Sequence, residues 1–110
     1  SQQNSGVINT YNTTNDTGSM LELIDKLLAS LPEIQGVDAE EIENVKDDLE
    51  MVQEQLKTDN PKKNRIGKAL VGIKKFAGDF SMKLAVTLAA GAVTRADWGM
   101  LLQQLENFIR

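Results

Sequence analysis

Cysteine and histidine are both absent from this 110-residue chain. Their absence excludes disulfide scaffolds, thiol nucleophiles, imidazole acid–base pairs and nearly every zinc or haem site. Any remaining chemistry would rest on carboxylates, lysines or hydroxyls, and these form no recognisable catalytic set, so no enzyme activity and no cofactor is expected. Aromatic residues make up only 5% of the chain. The apolar stretch between Lys83 and Arg95 holds eleven residues, far short of the roughly 20 needed to cross a bilayer. The opening residues show no basic segment followed by an apolar run and do not read as a secretory peptide, so a cytoplasmic address is expected.

What is present is ordinary globular material, with 41% hydrophobic and 25% charged residues, enough for one modest core. Residues 1–18 differ: six side-chain amides (Gln2, Gln3, Asn4, Asn9, Asn12, Asn15), four threonines and one aspartate stand together. This reads as a polar arm that is either a flexible linker or, through Val7, Ile8, Thr10, Tyr11 and Thr13, a strand that pairs between chains. The chain starts at Ser1 without a Met, and with such an arm it is expected to be part of a longer protein.

Residues 19–110 read as an all-α domain, a small four-helix bundle. The first helix, near 19–31, is expected to open on a Ser19/Glu22 capping box and to end at Pro32. Its apolar face is broad, carrying Met20, Leu21, Leu23, Ile24, Leu27, Leu28 and Leu31. The second helix, 38–57, starts on Asp38 with Glu41 three residues on, and presents Ile42, Val45, Leu49, Val52 and Leu56 at alternating spacings of three and four. That is the seam of a helical hairpin. From Asp38 to Asp59 nine acids face two lysines, a net of −7.

Asn60-Pro61 punctuates the chain and predicts a third helix from Pro61 to 77 or beyond. Lys62, Lys63, Arg65, Lys68, Lys74 and Lys75 give it +6 with no acid between them. An antiparallel hairpin would set the acidic flank beside the basic one and neutralise both, which argues against nucleic acid as partner. No aromatics interleave the basic residues for base stacking. The apolar stripe Ile66, Leu70, Ile73, Ala77, Phe80, Leu84 keeps helical phase, so the third helix could reach Val93, about 50 Å long. In that case LAVTLAAGAV (84–93), apolar nearly all round, would lie at the centre of an assembly or in lipid. Gly67, Gly72, Gly78 and Gly91 then suggest close packing. A last helix, 94–109, opens on Thr94 with Asp97 at its third position.

Acidic side chains of the second helix lack the spacing of a calcium loop or a carboxylate-bridged metal site. Residues 67–72 share only two glycines with a phosphate-binding loop. The surplus of apolar faces on short helices leads instead to homo-oligomerisation or protein docking. The residues expected to carry it are Leu23, Leu27 and Leu28; Ile73, Phe76, Phe80, Leu84 and Leu88; and Trp98, Leu101 and Leu105. The alternative is a membrane-perturbing effector that inserts its basic, Ala/Gly-rich segment 61–93.

The acidic seam helix followed by DNPKKNRIGKALVGIKKFAGDFSMKLAVTLAAGAV, after the Asn-rich QQNSGVINTYNTTND, resembles a small C-terminal module of bacterial proteins. These are of unknown or phage-defence role, and some resemble AbiTii-type abortive-infection proteins. Trp98 and the last helix lie outside the shared pattern. The resemblance implies an appended assembly module, with any toxin or enzyme activity upstream of it.

Overall fold

A computed structural model describes residues 17–89 and 91–110. The arm expected over 1–18 therefore lies, except for its last two residues, outside the described residues. Those two already belong to α1 (Thr17–Ser30), so the helix is under way before Ser19 and the Ser19 capping box does not open it. Met20, Ile24 and Leu27 form its buried face. Ser30, also buried, is satisfied by donating its hydroxyl to the Leu27 carbonyl at 2.7 Å. Pro32 ends the helix as anticipated, within a 3-10 turn over Leu31–Glu33.

In α2 (Ala39–Lys57) the seam residues Val45, Leu49, Val52 and Leu56 are buried. Asp38 is the N-cap, but its side chain makes no cap bond; its backbone carbonyl accepts from the Ile42 N–H at 3.1 Å. The helix closes where the Thr58 N–H and hydroxyl both donate to the Gln55 carbonyl. Gln55 also accepts the Lys62 N–H through its side chain at 2.9 Å. That bond holds Lys62 extended (φ −89°, ψ 107°), so α3 (Lys63–Asp79) starts two residues later than Pro61 predicts.

The third helix does not run on to Val93. It stops at Asp79, where Phe80 turns out of helical geometry (φ −120°, ψ 25°), and a 3-10 turn follows over Ser81–Lys83. Within LAVTLAAGAV two short strands form instead, β1 (Val86–Leu88) antiparallel to β2 (Gly91–Val93) in the register Val86↔Val93, Thr87↔Ala92, Leu88↔Gly91. The β-branched Val86, Thr87 and Val93 favour extended backbone. Gly91 has φ +139°, which side-chain-bearing residues rarely adopt. The segment is also not apolar-buried all round: Leu84 and Val93 are buried, whereas Ala85, Thr87, Ala89 and Ala92 are exposed. Gly91→Ala should lower the unfolding free energy by about 1–3 kcal/mol, read from a chemical denaturation midpoint. Its direct surroundings are open, so an unchanged midpoint would mean that the strained φ is not needed.

At the start of α4 (Arg95–Ile109) the predicted Thr94/Asp97 capping box forms, the Thr94 N–H donating to Asp97 Oδ2 at 2.9 Å. Asp97 also meets Lys26 of α1 at 3.5 Å. Each helix packs on two others in the cycle α1–α2–α3–α4–α1, and the β1–β2 pair lies against α1. Consecutive helices run antiparallel: Asp25 meets Gln53, Gln55 meets Lys62, and Lys74 meets Glu106. This is the expected all-α bundle, with one small sheet added. Its core joins Ile24, Leu49, Ile73, Leu84, Val93 and Leu105 around Trp98, whose ring centroid is 5.5 Å from that of Phe76.

Candidate interaction surfaces

Of the eleven residues expected at subunit contacts, seven (Leu27, Ile73, Phe76, Leu84, Trp98, Leu101, Leu105) are buried inside the chain's own core. Leu23, Leu28, Phe80 and Leu88 are half-buried and pack against that core. Hydrophobicity alone marks an apolar face as needing cover, and here the same chain covers most of it. Among the described residues, Leu28 lines an apolar groove open to solvent, and Phe76 lines a cleft between α2 and α3.

That groove lies between the C-terminal end of α1 and the N-terminal end of α2. Leu28, Leu31, Pro32, Ile34, Val37 and Ile42 line it, with Glu43 and Lys46 at the rim, around about 460 Å³. Its floor exists because Pro32 ends α1 and the following loop carries two further apolar residues, Ile34 and Val37. The loop is shaped by Gly36 (φ +80°), whose carbonyl accepts from Lys83 Nζ at 3.0 Å. Sequence reading passed over Ile34 and Val37; the signal was present as apolar residues inside a polar inter-helix loop, IQGV. With one acid and one base at the rim, the groove has no converging polar groups to orient a small molecule. It offers apolar contact.

The second surface is the outward face of the α2–α3 hairpin. Here the two charged flanks lie side by side as predicted, yet no ion pair within 4 Å joins α2 to α3 among the described residues. The pairs present are Lys26–Asp97, Lys74–Glu106 and Lys75–Asp79. Between the helices run two clefts, one lined by Asp47, Asp48, Met51, Arg65, Lys68 and Ala69, the other including Glu41, Asp48, Gly72 and Lys75. The flanks thus face each other across open space, and the pairwise neutralisation expected from the sequence is replaced by separated rows.

At Gly72 a Cβ would overlap the Asp48 carboxylate, which would have to swing aside. Close packing does not account for the other helical glycines: a Cβ at Gly67 would make ordinary contact with Ile109, and one at Gly78 would meet nothing. Burial of Asp48, with Asp47 beside it, raises its carboxyl above its ordinary value. A raised folded-state pKa means the native state binds the proton more tightly than the unfolded chain does. The penalty is therefore complete above the folded pKa and fades as pH falls through it. Asp48→Asn should give a small gain in stability at neutral pH and flatten the pH dependence just above the ordinary aspartate value. Parallel pH profiles for the two proteins, from denaturant melts, would contradict this.

Among the described residues no group of acids is placed to hold a metal ion, and no helix is long and apolar enough to cross a membrane. Among the described residues, two buried polar atoms lack a partner, Trp98 Nε1 and Gln104 Oε1. No family model, curated protein or solved structure matches the chain.

Proposed function

We propose that this chain is a non-catalytic homo-oligomerisation or protein-interaction module. The observation that carries the reading is the α1–α2 groove: above the buried Leu31 and Ile34, the half-buried Leu28, Val37 and Ile42 stand together around an open space. Covering it with apolar side chains of a partner gains about 25 cal/mol per Å² removed from water. The resemblance to the C-terminal modules of AbiTii-type abortive-infection proteins points the same way. On that reading the module is appended to a larger bacterial protein whose activity lies elsewhere. Membrane insertion of 61–93 is disfavoured because Ile73, Phe76, Leu84 and Val93 would first have to leave the core.

Ile42→Asp tests the groove, since Ile42 is half-buried there. It should lower the mass of the assembly in analytical ultracentrifugation, whereas Met100→Asp, at a position 49% exposed on α4, should not. Equal masses for the two variants would remove the groove from the interface.

A further inference from the structure

The charge rows on the α2–α3 hairpin are arranged against the interest of the isolated chain. Asp47, Glu50 and Glu54 are all exposed and succeed one another at spacings of three and four, so each repels its neighbours along one helix face. On α3, Lys63, Arg65 and Lys68 occupy the first two turns, which carry no acid in the first turn and no side-chain cap. Cations there oppose the helix dipole. Among the described residues no ion pair within 4 Å crosses from α2 to α3, so the two rows meet only across the clefts between them. Local rules broken on both helices at once point to a surface shaped for something outside the fold.

The rows are also level with one another. Gln55 meets Lys62, and Met51 shares a cleft with Ala69, so in this antiparallel pair Arg65 stands at the height of Glu54 and Lys68 near that of Glu50. Facing a second copy about a two-fold axis parallel to the helices exchanges left for right and keeps height. The acidic row of each chain then lies on the basic row of the other, twice over, in a closed self-complementary contact. Met51, 36% exposed at the mouth of the cleft, sits between the rows as an apolar centre. A two-fold axis across the helices would instead set acid on acid.

We propose that the outward face of the α2–α3 hairpin pairs with the same face of a second copy in this way. The inference rests on reading the chain as an interaction module, but uses a surface distinct from the α1–α2 groove.

A charge swap in the full chain tests it. Arg65→Glu with Lys68→Glu leaves Lys63 as the one base of the α3 row and makes the face mainly acidic, and Glu50→Lys with Glu54→Lys makes it more basic; none of these four residues is in the core. At about 50 mM salt, where screening is modest, each double variant alone should self-associate at least about tenfold more weakly than the unmodified chain. An equimolar mixture of the two should regain the unmodified mass, and about 500 mM salt should dissociate it. Retention of the unmodified mass by either variant alone overturns the proposal. So does a mixture that fails to recover. If the charge variants keep an assembly that Ile42→Asp abolishes, the interaction-module reading stands and only this face is wrong. A chain that never associates loses both.

Discussion

Trp98→Ala should lower the unfolding free energy by about 3–5 kcal/mol, a large share of the about 5–15 kcal/mol that holds a small domain together. The size follows from position. Trp98 has no exposed surface, lies one turn into α4, and meets Phe76 of α3 at 5.5 Å while Phe76 meets Phe80 at 5.1 Å. Removing it leaves a cavity where α3 and α4 join. Trp98→Phe should cost clearly less, because it keeps an aromatic contact with Phe76 and deletes Nε1, a buried donor without a partner. Denaturant unfolding followed by far-ultraviolet circular dichroism compares all three proteins without relying on the tryptophan signal. Equal losses for Ala and Phe would show that packing against Phe76 is not what the side chain supplies.

Val93→Asp should be nearly as damaging at neutral pH. Val93 is fully buried and stands opposite Val86 in the hairpin. A carboxylate there has no counter-charge, so the chain must either bury the charge, at several kcal/mol, or lift β2 off the bundle. Burial would raise the introduced carboxyl's pKa. The loss should therefore be complete above that pKa and recede as pH falls through it. Ala92→Asp, one residue earlier and exposed, should change stability by only about 0.5 kcal/mol. This in-and-out alternation belongs to a strand. Similar losses at 92 and 93 would contradict the hairpin.

The contrast between α2 and the hairpin shows where sequence reading holds and where it fails. The α2 seam was legible because nineteen residues repeat one spacing, and a long periodic pattern has few alternative structures. Pro32 and the Thr94/Asp97 cap were legible because each acts through local stereochemistry. The 84–93 segment was not. Leu84 continues the phase of Ile66, Leu70 and Ile73, so periodicity extended the helix, yet Leu84 reaches the core from a turn. Short apolar runs do not distinguish helix from strand; here the β-branched residues and Gly91 carried the information.

The interaction surfaces were only partly legible for a different reason. Apolar periodicity says that a face is covered, not by what, and intramolecular packing takes seven of the eleven residues it nominated. The groove depends on Ile34 and Val37, which belong to no helix and follow no period. For the charged hairpin, the net charges of the two segments predicted adjacency correctly. They could not predict the clefts, which depend on where Met51, Ala69 and Gly72 set the helix backbones.

The most direct test of the chain as an assembly module is its mass in solution, by light scattering coupled to size exclusion over micromolar to millimolar concentration. The account predicts a defined species heavier than the 12.1 kDa chain. A single species at the monomer mass throughout that range would contradict it.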